Sequence, residues 1–398
     1  MRMLHRLQHL REELDARAHA ELACVAPLVD AFAGDMFEHE IRLAVVGEPG
    51  IDEARDVRVG QLGEDRPFAQ CHAATVVGMR DGRLVVAFFA GTHEGHPDVA
   101  IWTAEGRAIG APDGPLAFSP PQRSLKIRDV AHWNPVLYRL DGARADEDGL
   151  ALQFKVGDRI RTWETWIALS FDGGRHFEPA VPLVPGDRGG RGAVRNKPIR
   201  LASGDWLAGA SIERWRSWEA FFDRSANGLD GWQATATIEV DRARFAGKGL
   251  IQPALWESTP GRVHALFRTT DGRIHRSDSD DDGRRWSRTR PIDVPNNNSA
   301  LDVARAADGT LVLACNPVPG NWAPRTPLSL LFSRDEGASW PWRIDVETGP
   351  GEFSYPAVVA SGDGLSLCYT WNRRRIAFVS LPSIRALLDA SPPPRSPA

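Results

Sequence analysis

Four side chains that can transfer protons lie close together in the segment AGTHEGHPDVAIW. They are His93, Glu94, His96 and Asp98, and the surrounding glycines predict a loop at the end of a strand. Because such loops often carry catalytic groups, Glu94 and Asp98 are candidates for a general acid or base. The alternative is that Asp98 caps a turn and the histidines are solvated. The two histidines lack a regular ligand spacing, so neither a metal site nor a cofactor is predicted.

Polar residues also recur where β-rich runs begin, often directly before a proline, as in WNPVLYR and RNKPIR. The set consists of Asn134, Lys197, Gln252, Asn297 and Tyr355. If the runs are equivalent strands around one axis, these side chains form a ring that can bind a ligand. Each of them alone can equally cap the end of a strand.

An arginine, Arg268, lies inside the apolar run RVHALFRT. A guanidinium in such a strand needs a partner or a ligand, and its planar fork matches a carboxylate. Arg268 is therefore a candidate for binding an acidic group.

Most elements that position these residues are predicted to be strands. After residue 35, short runs such as LVVAFFAG, GLALQFKV and TLVLACN are separated by Gly, Asp and Pro. Residues 1–35 differ, because Leu4, Leu7, Leu10 and Leu14 have helical spacing. We expect an amphipathic helix there, which packs on the β domain or forms a homo-oligomer.

One turn motif, Ser-x-Asp-x-Gly-x-x-aromatic, is repeated three times, at Ser170, Ser279 and Ser333. The last two copies begin 54 residues apart and the first two 109 apart, which is nearly twice that period. A degenerate fourth copy includes Ser225, Asn227 and Trp232. The Asp accepts backbone N–H bonds and the Gly permits positive φ, so the motif predicts a hairpin turn that is structural.

A second turn marker follows the same period and indicates six blades. It is a glycine before a strand, found at Gly82, Gly149, Gly204, Gly261, Gly309 and Gly364. We predict an all-β, six-bladed β-propeller over residues 36–385, with a disordered Pro-rich tail over 386–398. The last blade is short of one edge strand, and Glu38 to Val46 is expected to supply it and close the ring.

These Asp-box turns, the segment RTPLSLLFSRDEGASWPW and the following GEFSYPAVV resemble the sialidase (neuraminidase) superfamily of BNR/Asp-box propellers. The resemblance covers roughly residues 60–382. It implies that arginines hold a sugar carboxylate, that a tyrosine activated by a glutamate attacks the anomeric carbon, and that an aspartate is the acid/base. Matched by position, Arg268 and Arg325 are the second and third arginines, and Tyr355 is the nucleophile.

Two positions depart from the family pattern. The first arginine is replaced in the segment Gln70-Cys71-His72-Ala73, where His72 is the nearest functional residue. The activating glutamate is replaced in Ile251-Gln252-Pro253, and Gln cannot take a proton. Glu352, three residues before Tyr355, is the candidate to take over that role.

Composition limits the partners and the location. The net charge of −4 gives no reason to expect nucleic acid or an anionic membrane, and the N-terminal residues contain no uninterrupted apolar core. The four cysteines are scattered and include no CxxC pair, which indicates reduced thiols. We expect a cytoplasmic protein whose partner is an acidic oligosaccharide or glycoconjugate.

Three functions remain open. The first is a sialidase-like exo-glycosidase acting on sialic acid or a related acid, through Tyr355, Arg268 and Arg325, with Glu94 or Asp98 as proton donor. The second is a uronate-directed lyase, in which His72 removes the proton next to a neutralised carboxylate and Tyr355 acts as the acid. The third is a glycan-binding propeller without catalysis.

Overall fold

The computed structural model describes residues 58–62, 67–108, 116–140 and 149–390. These residues form six antiparallel sheets that follow one another along the chain, which makes a six-bladed β-propeller. The predicted helix over 1–35, its suggested role in oligomerisation and the strand expected at Glu38 to Val46 lie outside the described residues. No helix in the described ranges is long and apolar enough to cross a membrane.

Each blade is a meander of about four strands, numbered here in chain order. Blade one contains β2 (Gln70–Gly78), β3 (Leu84–Gly91), β4 (Ala100–Ala108), β5 (Leu116–Phe118) and β6 (Gln122–Leu125). Blade two contains β7 (His132–Arg139), β8 (Leu150–Val156), β9 (Glu164–Ser170) and β10 (Val181–Pro182), with a 3-10 turn at Ile160–Thr162. Blade three contains β11 (Ile199–Arg200), β12 (Trp206–Glu213), β13 (Trp218–Ser225) and β14 (Gln233–Ala234).

The other three blades follow the same plan. Blade four contains β15 (Leu250–Thr259), β16 (Arg262–Thr269), β17 (Arg273–Ser279) and β18 (Arg290–Pro295). Blade five contains β19 (Asp302–Arg305), β20 (Leu311–Cys315), β21 (Leu328–Ser333) and β22 (Trp342–Glu347). Blade six contains β23 (Phe353–Ser361), β24 (Gly364–Trp371), β25 (Arg375–Leu381) and β1 (Arg58–Leu62).

The ring is closed by an N-terminal strand, as expected, but by a different segment. β1 pairs antiparallel with β25 along its whole length, from Arg58 opposite Ser380 to Leu62 opposite Ile376. Our assignment of this edge to Glu38 to Val46 was therefore wrong. Arg58–Leu62 immediately precedes the first blade, so the chain needs only a short connection to reach both sheets.

The C-terminal boundary also differs from the prediction. Residues Ile384–Ala390 form a helix, α1, where a disordered tail was expected from residue 386. Ile384 and Leu388, one helical turn apart, are buried against blade six. The apolar spacing at i and i+4 places both side chains on the face of this short helix that packs on the propeller.

The Asp-box turns form as predicted, between the third and fourth strands of their blades. At Ser279, the Oγ atom accepts the N–H of Gly283 at 3.0 Å, and Asp281 Oδ1 accepts the N–H groups of Arg284 and Arg285. The copies at Ser170 and Ser333 use the same bonds. The degenerate copy also forms a turn, in which Asn227 Oδ1 takes the place of the Asp carboxylate and accepts the N–H groups of Leu229 and Asp230.

The strand order places two sets of turns on opposite faces. The first strands of neighbouring blades contact one another, for example β2 with β7 and β23, so they line the centre of the ring. In an antiparallel meander, the starts of first strands and the loops between second and third strands share one face. The Asp-box turns lie on the other face, which leaves the first face for a binding site.

Candidate active site

Tyr355 lies near the start of β23 on the face opposite the Asp-box turns. Its backbone has a φ of 54°, and the pairing of β23 with β24 shifts register between Ser354 and Ala357. A non-glycine residue held in this left-handed conformation costs about 1–3 kcal/mol. The bulge turns the side chain out of the regular alternation of the strand.

The same device recurs in three other first strands. Each has a register shift around one residue with positive φ: Ala73 (55°), Asn134 (40°) and Gln252 (54°). Proline follows this residue in three of the four strands, which explains why polar residues before prolines marked equivalent positions in the sequence. The sequence pattern of a polar residue before proline therefore marks a repeated backbone bulge. The side chain at each bulge determines whether that position can take part in binding or catalysis.

The phenol of Tyr355 is surrounded by positive charge. Arg268 Nη1 donates a hydrogen bond to Tyr355 Oη at 3.2 Å. The guanidinium carbons of Arg195, Arg325 and Arg268 lie 5.2, 5.6 and 5.9 Å from the centroid of the Tyr355 ring. The ring of Tyr355 is thus surrounded by guanidinium groups from three different blades or loops.

Arg268 has neutral hydrogen-bond partners within the described residues. Its Nε donates to Asn298 Oδ1 at 3.0 Å, and its Nη1 donates to Gln252 Oε1 at 3.1 Å. Its guanidinium carbon also lies 5.8 Å from the rings of Trp218 and Trp322. The side chain is held in position by amides and aromatic rings, and no carboxylate of the described residues forms a salt bridge with it, which suits an anionic ligand.

Arg325 and Arg373 share one carboxylate, that of Glu352. Arg325 Nη1 lies 2.8 Å from Glu352 Oε1, and Arg373 Nε lies 3.2 and 3.1 Å from the two carboxylate oxygens. Burial raises the pKa of Glu352, but the charges of Arg373 and Arg325 outweigh it and lower the pKa. Glu352 also accepts a hydrogen bond from Ser354, so the structure directs this carboxylate toward the arginines. Its predicted role as the base for Tyr355 stays a prediction.

Arg373 comes from the loop between β24 and β25 and reaches blade one. Its Nη1 bonds Glu94, and its carbonyl accepts the N–H of Cys71 at 2.8 Å. Burial lowers the pKa of Arg373, but the charges of Glu94 and Glu352 outweigh burial and raise the pKa above its usual value. A guanidinium therefore stands next to His72, on the side of the site where the sequence lacks the family's first arginine.

His72 is almost completely buried, with 2% of its surface exposed. Its Nδ1 lies 3.0 Å from Thr370 Oγ1, while its Nε2 has no hydrogen-bond partner within the described part of the chain. Burial, followed by the charges of Arg373 and Arg325, lowers the pKa of His72 well below 6.5. The imidazole is therefore neutral at pH 7 and has a nitrogen available to accept or donate a proton.

Arg195 was missed by the sequence analysis. It is 1% exposed, and its Nη2 donates to the carbonyls of Tyr355 and Pro356 at 2.6 and 2.9 Å. Burial lowers its pKa. These two bonds stabilise the strained backbone at Tyr355. The only sequence signal was the motif RNKPIR, in which Arg195 directly precedes a polar residue at the start of a blade.

The two acidic candidates of the blade-one loop have different surroundings. Asp98 lies at the exposed end, where it accepts hydrogen bonds from Thr92 and pairs with His96. Although its limited burial raises the pKa of Asp98, these partners lower it to about 2. Glu94 instead points toward blade six and bonds Arg373. Of the two, the structure brings Glu94 to the group of residues around Tyr355.

The remaining predicted site residues connect parts of the ring. Asn134 Nδ2 donates to the Val194 carbonyl at 3.0 Å, and Asn297 Nδ2 donates to the carbonyls of Ala323 and Pro324. Lys197 Nζ bonds both carboxylate oxygens of Asp302 and the Val303 carbonyl. Gln252 is the member of this set that contacts Arg268. The other three have structural partners, and their roles in substrate binding stay predictions.

Comparison with known proteins places this geometry in a family. The model of the BNR repeat-like domain matches residues 82–368. The chain belongs to the BNR repeat-like domain family. No curated protein matches the chain significantly.

Solved structures share the fold of this BNR repeat-like protein at low sequence identity. A protein of unknown function from Dyadobacter fermentans is 16% identical, with a TM-score of 0.65 over 82% of this chain and 99% of its own. The NanB sialidase of Streptococcus pneumoniae is 13% identical, with a TM-score of 0.63 over 82% and 70%. A leech intramolecular trans-sialidase is 12% identical, with a TM-score of 0.64 over 92% and 73%. These likenesses establish a sialidase-like fold.

Proposed function

We propose that this BNR repeat-like propeller is a carbohydrate-active enzyme whose substrate is a sugar bearing a carboxylate, and that it acts as a sialidase-like exo-glycosidase. The observation that carries the proposal is the position of the Tyr355 phenol among the guanidinium groups of Arg268, Arg325 and Arg195. Guanidinium groups that share a small pocket favour a carboxylate over a neutral ligand. The sialidases among the fold relatives agree with this substrate class.

In the proposed reaction, Arg268 and Arg325 hold the substrate carboxylate next to Tyr355. Tyr355 Oη bonds to the anomeric carbon while the bond to the leaving oxygen breaks, and water later releases the sugar. A neutral phenol is suited to this attack because a carboxylate nucleophile is repelled by the substrate's own charge. The phenol proton passes to His72 Nε2, since Gln252 cannot accept it and this nitrogen has no hydrogen-bond partner among the described residues.

The proposed proton donor for the leaving oxygen is Glu94. Asp98 is ionised at neutral pH, because its pKa is lowered to about 2. Glu94 pairs with Arg373 in the free protein. A substrate carboxylate that engages Arg373 competes for the guanidinium, weakens this pair and leaves the Glu94 carboxyl group free to approach the leaving oxygen.

Elimination on a uronate is the second candidate, and one observation favours it. His72 is a neutral base beside a phenol, and its Nε2 has no partner in the part of the chain that the structure describes. In this reaction the arginines neutralise the carboxylate, His72 takes the proton on the adjacent carbon, and a carbon–carbon double bond forms. The bond to the leaving oxygen breaks as that oxygen takes the proton of Tyr355.

The mass of the products distinguishes these functions. The full chain is incubated with sialylated and uronate-containing oligosaccharides in ¹⁸O-labelled water, with Tyr355→Phe as the matched control. We expect fragments whose summed mass includes one labelled water, and their loss in the control. Fragments without added water, one of them unsaturated, establish elimination instead. Binding without products establishes a non-catalytic glycan-binding propeller, and neither binding nor products overturns the proposal.

A further inference from the structure

Cations and aromatic rings alternate from Tyr355 outward across blades four and three. Arg268 lies between Tyr355 and Trp218, at 5.9 and 5.8 Å from their ring centroids. Lys248 Nζ then lies 5.7 Å from Trp218 and 5.4 Å from Trp215. We call Trp218, Lys248 and Trp215 the outer track. Trp218 is buried and joins the exposed part of the track, Lys248 and Trp215, to Arg268, because it contacts both cations.

Trp215, at the end of the outer track, is highly exposed, and this exposure does not contribute to packing of the fold. Trp215 is 83% exposed, the highest value among the exposed large hydrophobic side chains of the described residues. It lies on the turn between β12 and β13, on the face that carries the site. An exposed indole gains nothing from packing, whereas a ligand ring can cover its apolar face.

The turn that holds Trp215 is well defined. The N–H of Arg214 donates to the Ser217 carbonyl at 2.9 Å, and the Arg214 side chain pairs with Glu219. The backbone of Lys248 is also held in position, because its carbonyl accepts the N–H of Trp218 at 3.1 Å. Both ends of the outer track are thus anchored by backbone bonds, and a ligand meets a preorganised surface.

We propose that the outer track is a subsite for further residues of an acidic oligosaccharide whose terminal acidic sugar occupies the pocket at Tyr355. Indole faces stack on the apolar faces of sugar rings, and a lysine ammonium attracts a second carboxylate or sulfate. This inference rests on the proposed function and specifies its substrate: a chain of at least two sugars with a second anionic group.

The test is calorimetric binding to the full chain carrying Tyr355→Phe, which prevents turnover in the proposed reaction. The probes are galacturonic acid, trigalacturonic acid, sialic acid, α2,8-linked disialic acid and neutral maltotriose. We expect the acidic oligomers to bind about tenfold tighter than their monomers, since one aromatic and one ionic contact are added. Maltotriose is expected not to bind.

Two variants locate the gain in affinity. Trp215→Ala and Lys248→Met are each expected to remove most of the tenfold gain while leaving the affinity for the monomer unchanged. The matched control is Phe171→Ala, which removes an exposed aromatic ring on an Asp-box turn of the opposite face. Equal affinity for oligomer and monomer, an unchanged gain in both variants, or no binding of any acidic probe overturns the inference.

Failure of the subsite and failure of the proposed function give different results. If the wild-type chain cleaves acidic substrates but shows no preference for length, the outer track has no role and the proposed function stands. If the length preference depends on Trp215 and Lys248 but no product forms, the subsite stands and the proposed chemistry fails.

Discussion

The imidazole of His72 packs against the phenol ring of Tyr355, with 4.1 Å between the ring centroids and 49° between the planes. The two residues come from the first strands of blades one and six, which are 283 positions apart in the chain. Arg268 donates to the phenol oxygen, while the free nitrogen of His72 lacks a partner within the described residues. A neutral base and a phenol are thereby combined in a pocket whose other charges are mainly guanidinium groups.

Replacing Tyr355 with Phe is expected to reduce kcat by about 10³-fold, because the phenol supplies the nucleophile or the acid in both candidate reactions. The measurement is single-turnover kinetics on the substrate identified by product mass. The fold should persist, since the aromatic ring remains and only the bond from Arg268 is lost.

Tyr138→Phe is the matched control for that variant. Tyr138 donates to the Gly228 carbonyl at 2.7 Å and accepts from Gln153, in the interior of the propeller. The Tyr138→Phe variant should be less stable than the wild type by about 1–3 kcal/mol and should have the same kcat. Equal loss of activity in both variants would mean that the Tyr355 hydroxyl has a structural role.

His72 should make the stability of the protein depend on pH in the acidic range. Because its pKa is lowered on folding, the unfolded chain binds the proton more tightly between the two values. The contribution is therefore fully present above pH 6.5 and decreases by about 1.4 kcal/mol per pH unit below it. Denaturant unfolding of His72→Gln between pH 7.5 and 5 should show a shallower decrease than wild type.

His132→Gln separates this effect from a general effect of buried histidines. Burial, partly opposed by a hydrogen bond to Val130, lowers the pKa of His132 to about 4. Its ring nitrogens lie against backbone groups of Ile127 and Val130, away from the Tyr355 pocket. This variant should also flatten the pH dependence of stability while leaving activity unchanged. A steep, wild-type dependence in His72→Gln would show that folding does not lower the pKa of His72.

Arg268→Lys should weaken the use of carboxylated substrates by about 10²-fold in kcat/KM, since a lysine cannot reproduce the planar fork. The methyl ester of the same substrate lacks the negative charge and should be affected much less. Arg262→Lys is the control, because Arg262 is exposed at a hairpin and pairs with Asp280 on the surface. An identical loss for acid and ester would remove Arg268 from carboxylate recognition.

Ring closure by β1 can be tested with two truncations. A chain that begins at Arg58 retains the strand paired with β25, and a chain that begins at Pro67 lacks it. The second chain exposes the edge of β25 and should have a lower Tm and a greater tendency to aggregate. Thermal unfolding of both chains gives the contribution of β1 as a difference. Equal Tm values would show that the pairing adds no stability.

The sequence was sufficient for the fold because its repeats are local. Each Asp-box encodes its own turn through a Ser, an Asp and a Gly within five residues, and the glycines at Gly82, Gly149, Gly204, Gly261, Gly309 and Gly364 lie where the second strands begin. The closing strand was misplaced because two short β-rich segments precede the first blade. Composition alone does not show which of them reaches β25.

The candidate site was only partly predictable, because its parts meet across the ring. Tyr355 and Arg268 were found through a resemblance to known motifs, and the structure joins them by a hydrogen bond. Arg373 was missed because it is one of three consecutive arginines, and the sequence does not show which of them bonds Glu94 and Glu352. Arg195 was missed because its partners, the carbonyls of Tyr355 and Pro356, are about 160 residues away.

Blade six contains strands from both ends of the propeller sequence, β1 and β23 to β25, and this has a consequence for the biosynthesis of the protein. During translation, β1 has no pairing partner until β25 has left the ribosome. β25 lies more than 300 residues later in the chain. Tyr355 and Arg373 are also made late, on the same blade. The nascent chain therefore cannot contain the assembled pocket, and a prematurely terminated product exposes strand edges that chaperones and proteases recognise. Quality control of synthesis and assembly of the site are thus coupled through a single sheet.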